Sequence, residues 1–266
     1  MATDYEFEGW MGEDESSAEG NMVWQKYEPK TWEETDVDIR ITHCGICGSD
    51  MHVLRSEWVS LLDVYANANT GTEHRDCRAD PVFDHMQRQA PYPVVVGHEI
   101  VGVGGLGHFA VLFAKALGAD DIVGISRRAS KKQEALDLGC TDYIATADDE
   151  GWETKNARRL DLIICTVSSA KMPFAGYIGL LRLDGTLVQV GLPEGELPFR
   201  PGVLTGARRR IAGSGIGSPS EIREMLQLAV DKDVKPWVEE RPMSDANQAL
   251  VDFEAGKPRF RYVLTN

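Results

Sequence analysis

The sequence predicts an α/β protein in two parts: a β-rich N-terminal region and a doubly wound unit built on a parallel sheet. Three observations carry that prediction. Before about residue 100 the strand-like pieces repeat with period two, as in VDIRITHC (residues 37–44), where Val37, Ile39 and Ile41 alternate with Asp38, Arg40 and Thr42. That alternation suits an antiparallel, half-buried strand. Beyond residue 100 a glycine-rich turn opens an apolar helix, and strand and helix patterns then alternate. The closing stretch, MSDANQALVDFEAGKPRFRYVLTN, reads as a capped amphipathic helix and a last strand that packs back on the N-terminal region.

In chain order the second part contains the helix HFAVLFAKALGA, the strand DIVGIS, the charged helix SKKQEALDLG, and the strand-like runs DLIICTV, GTLVQVGLP and RRIAGSGIG. Parallel strands covered on both faces need such apolar runs. The composition, 42% hydrophobic and 26% charged over 266 residues, is that of a soluble globular chain. A net charge of −14 repels phosphate backbones and anionic lipid, which excludes nucleic acid and membrane surfaces as expected partners. The acidic N-terminal stretch MATDYEFEGWMGEDESS lacks the basic and apolar character of an export signal, and the apolar run from Val94 to Ala119 is broken by His98, Glu99, His108 and Lys115. A cytoplasmic protein is expected. Its five cysteines are too few and too odd in number for a disulfide framework, and read as free thiols or metal ligands.

The turn VGVGGLGHF places Gly102, Gly104 and Gly107 in a G-x-G-x-x-G spacing, with Gly105 and Leu106 inside it, between a strand-like IVG and a helix. Such glycines permit a tight turn, let a pyrophosphate approach the backbone at the helix N-terminus, and let helix and strand pack closely. About twenty residues on, an NAD site carries an acidic residue for the ribose hydroxyl. Here the strand ends in Ser126, Arg127 and Arg128, with Ser130, Lys131 and Lys132 beyond. Guanidinium groups and hydroxyls suit a 2′-phosphate, so NADP is the expected cofactor. The competing reading is a solvated helix start.

The stretch THCGICGSDMH (residues 42–52) and the later GHE (residues 97–99) bring a different chemistry. Taken singly, a Cys-x-x-Cys can be buried small residues, a Ser-Asp pair a turn, and a His a bonded loop residue. Taken together with TDYEFEGWMG, ETDVDIRITHCGICGSDMHVLRS, YPVVVGHEIVG, GGLGHFAVLFAKALGA, SRRASKKQEALDLG and AGSGIG, the chain resembles the zinc-dependent medium-chain alcohol dehydrogenases, in particular their cinnamyl alcohol dehydrogenase-type, NADP-dependent branch. The resemblance implies a truncated GroES-like catalytic domain over residues 1–100, with an insertion at about 59–90, completed by about 238–266, and a Rossmann-type domain over 101–237. It implies a catalytic zinc held by Cys47 and His98, with Glu99 beside the metal and Asp50 orienting His98. Ser49 and His52 would relay protons. It also implies a small alcohol or aldehyde as substrate, and a homodimer through the nucleotide domain's edge strand, an assembly that the altered domain leaves open.

Three departures bear on competence. GHEIVG runs directly into VGGLGH, so the block that in the family carries the structural-zinc lobe and the third catalytic-zinc ligand is missing. The first strand of the nucleotide domain goes with it, leaving Val94–Val101 to serve either the metal or the sheet. Residues 59–90 have no family counterpart, although they contain His74, Cys77 and His85, from which a replacement ligand could come. Cys140 and Cys165 read as core cysteines. The sequence therefore reads as an NADP-dependent zinc alcohol dehydrogenase or aldehyde reductase by descent, impaired in its metal site. The alternative is a non-enzymatic product of a damaged gene that at most binds dinucleotide, and a zinc-free quinone reductase is disfavoured by the zinc-type residues.

Overall fold

The computed structural model describes residues 6–28, 40–47, 50, 51, 54, 55, 104–193 and 195–266. The chain divides into two compact units, Met1–Glu99 with Val238–Asn266, and Ile100–Trp237.

The first unit opens with β1 (Glu8–Met11) and β2 (Val23–Lys26), paired antiparallel with Trp10 opposite Trp24. The two indoles meet edge to face at 5.8 Å, the quadrupole-favoured arrangement for a cross-strand aromatic pair. Next comes β3 (His43–Gly45). It is shorter than the alternation from residue 37 predicts: residues 40–42 are not strand, residues 37–39 lie outside the described residues, and Ile41 is exposed. Chain-end contacts replace the ladder there, with Asn266 donating its backbone N–H to Thr42 O and its Nδ2 to Ile41 O.

The second unit follows as α1 (Gly105–Ala116), β4 (Val123–Ser126), α2 (Lys132–Leu138), β5 (Asp142–Ala145), α3 (Trp152–Lys155), β6 (Leu160–Cys165), α4 (Phe174–Leu180), β7 (Leu181–Gln189), α5 (Gly202–Thr205), β8 (Arg210–Gly213) and α6 (Pro219–Asp231). All pairings are parallel, as predicted, in two sheet pieces: β4 with β5, and β6–β7–β8. Arg159, at the start of β6, grips Asp121 just before β4 and Asp142 at the start of β5, so the two pieces begin at a common edge.

Among the described residues no strand joins β4 to β6. A cavity of about 540 Å³ lies there, lined by Val123–Ile125, Leu160–Val167 and the small-residue face of α1, Gly107, Ala110, Val111 and Ala114. The run DLIICTV is accordingly buried on one face only. Ile163 and Cys165 enter the core formed with Phe174, Ile178, Leu181 and Leu187, whereas Leu162 and Ile164 remain 55% and 47% exposed.

The chain closes with β9 (Glu239–Pro242), α7 (Ala246–Glu254) and β10 (Tyr262–Thr265), all in the first unit. The last strand pairs antiparallel with β3 and parallel with β9, so RFRYVLT returns to the N-terminal part as predicted. Ala249 and Leu250 of α7 pack with Ile46, Met51, Leu54 and Leu264. The expected side-chain cap is not made: Asp245, at the N-cap, binds Arg241 instead. Among the described residues no helix is long and apolar enough to cross a membrane.

Candidate dinucleotide and metal sites

Helix α1 starts at Gly105 behind an N-cap glycine, Gly104, that has no side chain to cap it. A glycine there supplies no side-chain acceptor for the leading N–H groups, the kind of helix start that receives an anion. Gly105 is buried, Leu106 half-buried, and Gly107 lines the cavity between β4 and β6. Gly102 lies outside the described residues. Behind the turn sits His108, fully buried. Its Nδ1 faces Gly104 O at 2.9 Å, and its Nε2 faces the N–H of Trp237 at 3.3 Å. A carbonyl can only accept and an amide N–H only donate, so the ring carries its proton on Nδ1 and is neutral. Burial pushes its pKa down, against the pull of the Gly104 and Gly105 backbone. His108 thus ties the glycine turn to Trp237, a role the sequence reading missed because the partner is remote in the chain.

The turn after β4 is braced from β5. The carbonyls of Ser126 and Arg127 accept from Thr146 and Ala147, and Tyr143 Oη donates to Arg128 O at 2.8 Å. Asp148 then takes the Arg128 guanidinium and the Ala129 N–H, each at 2.8 Å. The Ala129 N–H and Arg128 hold the Asp148 carboxyl below the usual carboxylate range. Arg128 is therefore committed within the turn. Arg127 is exposed and makes no ion pair among the described residues, so its guanidinium is the one presented outward. Lys131 is half-buried, and burial lowers the pKa of its ammonium against the pull of Glu134. A helix that starts behind a glycine and a cationic turn with no acid at the end of β4 fit the phosphates of a 2′-phosphorylated dinucleotide.

The metal-type residues divide between described and undescribed positions. Cys47 is 1% exposed, and its N–H donates to Asp50 Oδ2 at 2.9 Å; Asp50, Met51 and Leu54 are helical. Asp50 is also buried. Arg261 reaches this segment from beside β10: a Cβ on Gly45 would stand 3.2 Å from its Nη1. Burial brings the Arg261 guanidinium down to about 10, with the charges of Cys47 and Asp50 opposing that shift. Arg261 was not foreseen from sequence, where it stands among ordinary terminal charges. Cys44 is half-buried, its thiol pushed up by burial and by Asp50.

Ser49, His52, His98 and Glu99, together with His74, Cys77 and His85, lie outside the described residues. Among those described, no group of three or more His, Cys, Asp or Glu side chains could hold a metal ion. Cys140 and Cys165 are buried core thiols, as expected, and burial pushes Cys140 up to about 11.

Residues 105–231 match the family model described as Zinc-binding dehydrogenase. Cinnamyl alcohol dehydrogenase 2 of Rauvolfia serpentina is 42% identical over 345 aligned residues, covering 96% of this chain and 94% of that protein. The NADP-dependent alcohol dehydrogenase C 1 of Mycolicibacterium smegmatis is 41% identical over 165 residues, 62% of this chain and 46% of that protein, so the chain spans under half the length of that relative. A cinnamyl alcohol dehydrogenase from Sorghum bicolor shares the fold, with a TM-score of 0.76 and 22% identity over 98% of both chains. A relative as similar as the Rauvolfia serpentina protein over nearly the whole of both chains shows that the chain belongs to the zinc-type medium-chain alcohol dehydrogenases, in the cinnamyl alcohol dehydrogenase branch.

Proposed function

We propose that this protein is an NADP-dependent alcohol dehydrogenase or aldehyde reductase by descent, organised to move a hydride between NADP(H) and a primary alcohol or its aldehyde. The observation that carries the reading is the cationic turn after β4, where Arg127 faces outward and Asp148 is neutralised by Arg128. A bidentate guanidinium favours a 2′-phosphate, and the absence of an acid at the end of β4 removes the partner a free ribose hydroxyl would need. The uncapped start of α1 would receive the pyrophosphate, and Gly107 leaves room for it. The first unit is then the shortened GroES-like catalytic domain and the second the Rossmann-type domain.

Cys47 and His98 would hold zinc, with Glu99 beside it and the Asp50 carboxylate accepting from the Cys47 N–H. Bound zinc would supply a Lewis acid for the substrate oxygen. Ser49 Oγ would pass the substrate's proton to the His52 imidazole, which exchanges it with solvent near neutral pH. The donor set is short of the three protein ligands that a catalytic zinc requires, so weak metal retention and poor turnover are part of the reading. That same shortage favours the second reading, a chain that binds dinucleotide without catalysing. Assaying NADPH-dependent aldehyde reduction alongside NADPH binding separates the two: binding with measurable turnover supports the first, binding alone the second, and neither defeats both.

Two further assignments belong to this reading. The apolar side chains Ile222, Met225, Leu226 and Val230 of α6, the helix that follows β8 in the chain, are exposed, and β8 pairs on one side only among the described residues. They support a homodimer through that edge. Cys44, Cys47, Cys140 and Cys165 form no disulfide among the described residues, which suits a reducing cytoplasm.

A further inference from the structure

The strands of the second unit all end on the side where a ligand would lie, and the loops following β6 and β7 meet there through one side chain. Gln189, the last residue of β7, donates from Nε2 to Gly191 O at 2.7 Å and to Val167 O at 3.3 Å. Both neighbours are carbonyls, which only accept, so the orientation of the amide is fixed: the NH2 must face them. The other end of the amide, Oε1, is buried and has no partner among the described residues. A buried acceptor left without a donor carries a cost, and a plain packing residue at this position would avoid it.

The backbone around Gln189 is equally committed. The N–H groups of Val190 and Gly191 both donate to Cys165 O, at 2.9 and 3.1 Å. Gly191 lies so close to the β6 loop that an added Cβ would stand 2.4 Å from Val167 O. The Gln189 amide is thus the side-chain half of a staple whose backbone half is the Cys165 carbonyl. It holds residues 165–167 against residues 189–191.

The place of this staple gives it a meaning. From the gap between β4 and β6 the strand order runs outward in two directions, to β5 on one side and to β7 and β8 on the other. Ligands of open α/β sheets sit at such a switch point, beyond the carboxyl ends of the strands. If the adenosine end of the dinucleotide lies on the turn after β4, its other half extends over Thr166 and Val167, which line the cavity.

We propose that Gln189 is a positioning residue for the nicotinamide half of the cofactor, acting by pinning the loop after β6 to the loop after β7. The proposal rests on the dinucleotide reading above. Gln189 touches no cofactor itself. It fixes the backbone on which that half of the ligand would rest, whereas the turn after β4, which would hold the phosphorylated adenosine, is braced independently by Tyr143 and Asp148.

The test uses the full chain, the variants Gln189→Leu and Gln189→Glu, and two probes, NADPH and adenosine 2′,5′-bisphosphate, titrated by calorimetry. Leucine keeps the bulk and removes the donor, while glutamate keeps Oε1 and turns an acceptor toward two carbonyls. Both variants should bind NADPH about tenfold more weakly and the adenosine bisphosphate within about twofold of wild type. Amide exchange at Val190 and Gly191 should accelerate about tenfold, with Leu187 and Val188 unchanged. Unaltered NADPH affinity in both variants, equal weakening of the two probes, or unaltered exchange overturns the proposal. A wild-type chain that binds neither probe defeats the dinucleotide reading, and this proposal with it.

Discussion

Replacing Arg159 with methionine tests what holds the second unit together across the position where β4 and β6 have no described strand between them. Arg159 is 27% exposed and engages Asp121 through two bonds of 3.0 and 3.1 Å and Asp142 through one of 2.5 Å. Charge-assisted bonds of this kind contribute about 1.5–3 kcal/mol when enclosed, but exposed ion pairs contribute about 0–1 kcal/mol. Asp121 and Asp142 are each more than 40% exposed, so solvent screening sets the expected loss at about 1–2 kcal/mol. No charge is stranded by the change, since Asp121 keeps its bond from Thr141 and faces water. Hydrogen bonds from Arg159 are the main reason both carboxyls titrate below the usual range. A carboxyl depressed in the folded state stabilises above its unfolded pKa and loses that contribution as pH falls through the folded value. The deficit of Arg159→Met should therefore be full at about pH 7 and shrink once the pH falls below about 4, as the lowered carboxyls protonate. Urea unfolding of the full chain followed by circular dichroism measures it. A loss below about 0.3 kcal/mol at neutral pH, or one that persists in acid, would refute the clamp.

Metal analysis of the purified chain should give well under one zinc per chain, with feeble NADPH-dependent aldehyde reduction. One firmly held zinc and robust turnover that Cys47→Ala abolishes would contradict this and point to His74, Cys77 or His85 as a replacement ligand. If α6 seats a second copy, Leu226→Glu with Val230→Glu should convert a dimer to a monomer in sedimentation, and an unchanged assembly would remove α6 from the interface. Gly191→Ala should cost about 2 kcal/mol or more, because the new methyl meets backbone that cannot yield. Gly179→Ala, inside α4 with nothing near its Cβ position, should instead stabilise by about 0.5–1 kcal/mol. Thermal unfolding of the two variants reads both signs, and equal effects would show the packing argument to be wrong.

Much of the second unit was legible because local signals agreed there. The apolar run after the glycines formed α1, and DIVGIS, DLIICTV and TLVQVGL formed parallel strands, since β-branched runs between turns leave few alternatives. Two features were missed although their signals were present. Ser218 and Glu221 form a capping box with Pro219 at the first helical position, and this starts α6. Trp10 and Trp24 mark the β1–β2 pair, but four-residue strands separated by a polar loop give too short an alternation to read. Other features depend on distance in the chain. The neutral state of His108 needs Trp237, the division of labour between Arg127 and Arg128 needs Asp148, and the setting of Cys47 needs Arg261. Motif reading brought Cys47 and Asp50 forward, and both are buried and joined by one hydrogen bond. It could not supply the bond between them, because the family pattern assigns that carboxylate to His98.

On the dinucleotide reading, the turn after β4 recognises a 2′-phosphate. Calorimetric titration of the full chain with NADPH and with NADH, repeated on Arg127→Ala and on the Arg127→Ala, Arg128→Ala double variant, tests it most directly. NADPH should bind the unmodified protein at least about tenfold more tightly than NADH, the worth of one charge-assisted contact, and the double variant should lose that preference. Most of the loss should appear already with Arg127→Ala, because Arg128 is held by Asp148. Equal affinities for the two cofactors in the unmodified protein would contradict it.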